Sequence, residues 1–125
     1  MNTISLCVHD DLMQSVKWLL TEFNKDFSIS TFRSLDSLES AFKTNNWDLL
    51  ILDAAASHES LKDSLTKIKS QKPQIKIILI VPPIANKEEI LEIIQGKMVQ
   101  GLVIKPFTGE IMSKYLEKIG NDSVR

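Results

Sequence analysis

The sequence predicts an α/β domain: a doubly wound, five-stranded parallel sheet in the order 2-1-3-4-5, with five helices on its two faces. Three observations carry that expectation. Segments of strand period and helix period alternate strictly along the chain. Two strand segments, Leu49–Leu52 and Ile75–Val81, are apolar runs broken only by Lys76, as in strands buried on both faces. A third, Phe27–Phe32, alternates polar with apolar and suits an edge. Right-handed crossovers then leave few topologies, and the order 2-1-3-4-5 puts the half-wet strand outside and the solid ones inside.

Each element has its own reason. Ile4, Leu6 and Val8 alternate and stop at His9-Asp10-Asp11, so a first strand ends there. Leu12, Val16, Leu19, Leu20 and Phe23 recur at helical spacing, which starts a helix just past the acidic pair. Ser34 caps a second helix whose inner side holds Leu35, Leu38 and Phe42. The third strand ends at Asp53, and Leu61, Leu65 and Ile68 mark the third helix. The fourth strand closes at Pro82-Pro83. Ile90, Ile93 and Ile94 mark the fourth helix, stopped near Gly96. Gly101–Ile104 is a short fifth strand closing at Lys105-Pro106. Thr108 caps a last helix carrying Ile111, Met112, Tyr115, Leu116 and Ile119.

Composition bounds the function. The 125 residues suffice for one domain, placed at 1–120, with a polar, disordered tail at 121–125. Fifteen basic against sixteen acidic residues give a net charge of -1, which offers no footprint for direct nucleic-acid binding. The longest apolar stretch, Ile77–Ile84, is far short of the roughly 20 residues of a membrane helix. The start, Met1–Val8, lacks a secretory pattern, and the single Cys7 excludes a disulfide framework. The expectation is a soluble, cytoplasmic domain. Cys7 reads as a small buried apolar residue, and His58 as a solvated loop residue.

The chemistry belongs at the carboxyl rim of the sheet, where open α/β sheets gather ligands. Asp10 and Asp11 follow strand one, Asp53 ends strand three, and Lys105 ends strand five. Two like charges at about 4 Å repel by roughly 4 kcal/mol at an effective dielectric near 20. Clustered carboxylates therefore raise one another's pKa or recruit a cation, and a hard ion such as magnesium suits oxygen ligands. A carboxylate also attacks phosphorus to give an acyl phosphate, with a cation neutralising the transferring group. Taken singly, Asp10 or Asp11 reads equally as a helix cap, and Asp53 as a loop residue.

At these residues the chain resembles the receiver domain of two-component response regulators, the CheY-like, flavodoxin-like fold. The resemblance runs from about Ile4 to Ile119. It rests on the acidic cluster after strand one, Asp53 after an apolar strand, and Lys105-Pro106-Phe107 after strand five. It implies Asp53 as phosphoryl acceptor and Lys105 as its cationic partner, with a cis Lys105-Pro106 bond. It implies a Mg2+ site at Asp10 and Asp53 with the Ala55 carbonyl, Asp11 standing next to it. Implied partners are a histidine kinase or phosphotransfer protein, and a downstream protein or attached output domain. Activity would be limited to the protein's own aspartyl phosphorylation and dephosphorylation.

The departures are specific. His9 stands where receivers carry the first of two acids, Val81 where they carry a hydroxyl residue, Pro82 where a small one, and Leu102 where an aromatic. The Ala54–His58 loop lacks the usual Pro-Gly turn, and two extra residues lie between Gly96 and Gly101. Val81 cannot donate to a phosphoryl oxygen. These losses point to a second reading, a pseudo-receiver that binds partners whatever the state of Asp53. A third, a small flavodoxin-like ligand binder or enzyme, lacks a glycine-rich phosphate loop after strand one.

Overall fold

The structure, a computed structural model, describes residues 2–57 and 59–124, with 121–124 as backbone only. His58, read above as a loop residue, lies outside them. The elements are β1 (Thr3–Cys7), α1 (Asp10–Phe23), β2 (Ser28–Phe32), α2 (Leu35–Ala41), β3 (Leu49–Asp53), α3 (Leu61–Gln71), β4 (Lys76–Val81), α4 (Lys87–Gln95), β5 (Gly101–Ile104) and α5 (Gly109–Val124). A single 3-10 turn, Ala54–Ala56, follows β3. All strand pairs are parallel and the order is β2-β1-β3-β4-β5, as the sequence predicts.

Strand parity divides the core into two layers. Leu50 and Leu52 of β3 and Ile77 and Leu79 of β4 face α2, α3 and α4, against Leu38, Leu65, Ile68 and Ile93. Leu49 and Ile51, with Ile78 and Ile80, face α1 and α5, against Val16, Leu20, Met112, Leu116 and Ile119. Asp53 continues the parity of Leu49 and Ile51. The register pairs Cys7 with Leu52, Asp53 with Ile80 and Val81 with Ile104, so the strands end nearly level. Residues just past those ends therefore meet at one rim.

The caps follow side-chain chemistry. Ser34, Ser60 and Asn86 each accept from a backbone N–H in the first turn of α2, α3 and α4, and Thr108 does the same for Ile111. The first helix departs from expectation. It includes Asp10 and Asp11 in its first turn, and His9 is its N-cap. The two acids gain there from the positive end of the helix dipole.

In α4 only Ile93 is fully buried, whereas Leu91 and the expected core residue Ile94 are exposed. Ile111 of α5 is also exposed. Both helices flank the edge strand β5, which has no neighbour beyond it, so each covers the sheet with a narrow stripe. Backbone helix continues in α5 to Val124, and the tail expected at 121–125 falls on residues whose side chains lie outside the description. Among the described residues no helix is long and apolar enough to cross a membrane.

Candidate functional site at the carboxyl rim

Asp53 is the centre of the rim. Its side chain is 0% exposed, and its two carboxylate oxygens are fully engaged. Oδ1 accepts from the Ala55 backbone N–H at 3.0 Å, and Oδ2 from the His9 backbone N–H at 3.1 Å. The Lys105 ammonium lies 3.2 Å from Oδ1 and 3.3 Å from Oδ2. A buried carboxylate is tolerable only with such pairing. Two backbone donors and one cation supply it.

Lys105 is placed by β5. Its own N–H donates to the Val81 carbonyl at 2.9 Å, which extends the β4–β5 ladder one residue past the strand. The Lys105-Pro106 bond is cis, as the resemblance implies. The Lys105 side chain remains 26% exposed, so the pair is open to solvent from the lysine side. Cys7 sits behind the site. Burial pushes its thiol up to about 12, and the Asp53 charge adds to the rise, so it stays protonated and inert at neutral pH.

The other two acids face outward. Asp10 is the residue after His9, whose N–H touches Asp53. Its own carboxylate is 68% exposed and lies 3.6 Å from Nε of Arg33, at the end of β2. Asp11 contacts Nδ1 of His9 at 2.9 Å. The His9 hydrogen bond holds the Asp11 carboxyl below the usual range, with the charges of His9 and Lys105 acting the same way against desolvation. A 2.9 Å contact to a carboxylate calls for a proton on Nδ1, which then cannot also accept from the Asp11 N–H at 3.5 Å.

The fold thus unites Asp53, Lys105 and the Ala55 backbone, and holds Asp11 within electrostatic reach of Lys105. It does not gather the acids. Among the described residues no group of three or more His, Cys, Asp or Glu side chains is arranged to hold a metal ion. The oxygen donors a hard cation would draw on are Asp10, Asp53 and the Ala55 carbonyl, but both Asp53 oxygens are engaged and Asp10 faces Arg33. The competing Arg33–Asp10 pair is long and exposed, and such pairs contribute only about 0–1 kcal/mol.

Two participants escaped the sequence reading. The His9 backbone donor carries no side-chain signal. Arg33 was visible as the charge following the edge strand, next to β1 in the same topology, and that rule finds it.

No family model and no curated protein matches the sequence. Solved structures do. The signal receiver domain of an HD domain-containing protein from Pseudomonas fluorescens Pf-5 superposes with a TM-score of 0.82 at 17% identity, over 98% of this chain and 97% of that one. A response regulator receiver domain protein from Clostridium thermocellum gives 0.79 at 20% identity, over 98% and 97%. A CheY-like receiver domain protein from Methanospirillum hungatei JF-1 gives 0.78 at 18% identity, over 98% of each. The chain has the fold of a response regulator receiver domain.

Proposed function

We propose that this chain is a receiver module in two-component phosphorelay signalling, accepting a phosphoryl group on Asp53. The observation that carries the reading is the Asp53–Lys105 contact at the carboxyl rim, made by residues 52 positions apart. In the transfer, an Asp53 carboxylate oxygen attacks phosphorus as the P–N bond of a phosphohistidine donor breaks. The donor imidazole leaves with the electron pair and takes up a proton. Lys105 follows the new negative charge from the carboxylate to the phosphoryl oxygens, where preorganised cations are most effective.

A divalent ion such as Mg2+ would supply further neutralisation of those oxygens. Asp10, Asp53 and the Ala55 carbonyl would hold it, with Asp11 beside them once its His9 contact opens. The donor would be a histidine kinase or phosphotransfer protein. Output would pass to a downstream protein or attached domain, with no direct contact to nucleic acid or membrane. The exposed Leu91, Ile94, Ile104 and Ile111 of α4, β5 and α5 support an output surface there. Chemistry of the chain's own is confined to forming and losing its aspartyl phosphate, in a protein that works in the cytoplasm.

The test is direct. With magnesium and a small acyl-phosphate donor, the intact mass of the full chain should rise by one phosphoryl group, and Asp53→Asn should abolish the rise. No added mass, or one that survives Asp53→Asn, rejects the acceptor role. A second reading, a partner-binding pseudo-receiver, is favoured by Val81, which is buried and without a polar atom at the end of β4. Unchanged partner affinity in Asp53→Ala would select it.

A further inference from the structure

We propose that the cleft between α1 and the carboxyl end of β2 binds the phosphate of a small phosphomonoester carrying an aromatic or apolar part. This inference is independent of the acceptor reading at Asp53. The cleft encloses about 720 Å3, within the size range of small-molecule sites. One wall is a single stripe of α1, where Asp10, Gln14 and Lys17 recur at i, i+4 and i+7. The other wall is the end of β2, Thr31 to Arg33. Between them, half-buried Met13 forms a small apolar floor, while the Phe32 ring turns to the other face of the sheet against Trp47.

The polar groups on these walls are poorly used by the protein. Arg33 touches Asp10 through Nε alone, at 3.6 Å, and is 86% exposed. Its terminal two-nitrogen fork is therefore unspent. The Lys17 ammonium, the Gln14 amide and the Thr31 hydroxyl have no protein partner among the described residues. Two cations against one carboxylate leave the cleft with one excess positive charge, on a chain whose net charge is -1. The guanidinium fork matches two phosphate oxygens, and a lysine opposite it takes a third as a point charge. A monocarboxylate brings one charge to two cations, whereas a phosphate monoester brings close to two and a third oxygen. A long polyanion would meet no basic field beyond the cleft. The polarisable Met13 side chain then takes the apolar remainder of the ligand.

Asp10 repels such an anion, so binding must draw Arg33 away from it. That exchange costs little, because an exposed long pair is nearly neutral in energy. Neutralising Asp10 should accordingly tighten binding, and truncating Arg33 should weaken it.

The probe is phenyl phosphate, titrated into the 15N-labelled full chain in magnesium-free buffer with chelator, against inorganic phosphate and phenol. Amides of Gln14, Lys17, Thr31 and Arg33 should move saturably with phenyl phosphate, and at least about tenfold more weakly with phosphate or phenol. Arg33→Ala should weaken binding by about tenfold or more, while Asp10→Asn should strengthen it. Both side chains are exposed, so the spectra of the variants elsewhere serve as the folding control. No saturable movement up to about 10 mM overturns the proposal, as does affinity indifferent to Arg33→Ala and Lys17→Ala. Inorganic phosphate binding as well as phenyl phosphate also overturns it, leaving an adventitious ion only.

Discussion

Two carboxylate–cation pairs sit on the same rim and differ in almost everything but charge. Asp53 and Lys105 meet at 3.2 Å around a carboxylate that is 0% exposed and accepts two further backbone bonds. Asp10 and Arg33 meet at 3.6 Å with both side chains mostly in water. The difference is set by the strands. Asp53 is the last residue of the central β3, walled by β1, β4 and the two helix layers. Asp10 and Arg33 lie at the outer side, where β2 is the edge. The lesson is that a charge pair acquires energetic weight from what surrounds it: the inner pair is part of the fold, and the outer one is free to change partners.

The largest expected effect comes from breaking the inner pair on one side. Lys105→Met keeps the stem of the side chain and leaves a buried carboxylate with its backbone donors alone. Removing one member of a buried pair costs about 3–5 kcal/mol, and the partial exposure of Lys105 puts the expectation near 3 kcal/mol. Urea unfolding should show a lower midpoint with unchanged slope. The double variant Asp53→Asn with Lys105→Met should recover much of the loss. Equal stability of the single and double variants would mean that Asp53 is sustained by the His9 and Ala55 amides without the lysine.

A third carboxylate separates burial from hydrogen bonding. Asp48 is exposed, yet its Oδ2 accepts from the Asn2 N–H at 3.0 Å, the Thr3 N–H at 3.1 Å and the Thr3 hydroxyl at 3.0 Å. The Asn2 amide chiefly, against desolvation and aided by Thr3, holds its carboxyl below the usual range. A carboxyl depressed in the folded state stabilises above its unfolded pKa, and that contribution fades as pH falls through the folded value. Asp48→Asn should therefore cost roughly 0.5 kcal/mol at neutral pH, solvent screening the exposed carboxylate, and flatten the acid limb of the stability curve below about pH 4. Chemical denaturation at pH 7 and pH 3 measures both. A cost that is the same at the two values would remove the charge from the account.

The sequence made the inner region legible and the outer one only partly so. Asp53 and Lys105 close short strands whose placement is forced by apolar runs and crossover handedness, so their convergence follows from topology. Asp10 and Asp11 were equally visible as residues, but their side chains are exposed and turn to the nearest local partner. His9 and Arg33 supply those partners through bonds worth little each. No periodicity encodes that choice. The exposure of Ile94 escaped for a related reason: apolar spacing marks a stripe as wide as the sheet beneath it, and the sheet ends at β5.

The smallest effect tests the outer pair, and here the expected result is near silence. Arg33→Ala and Asp10→Ala should each change unfolding free energy by about 0.5 kcal/mol or less, and the coupling from the double-mutant cycle should lie between about 0 and 0.5 kcal/mol. Asp10→Ala also removes an acid from the first turn of α1, where the helix dipole favours it, so its loss should slightly exceed that of Arg33→Ala. Raising salt to 1 M, where the screening length is about 3 Å, should erase what coupling remains. A coupling above about 1 kcal/mol that persists in salt would show Arg33 and Asp10 locked together like the inner pair. The guanidinium would then no longer be free to serve a ligand, and the contrast between the two pairs would collapse.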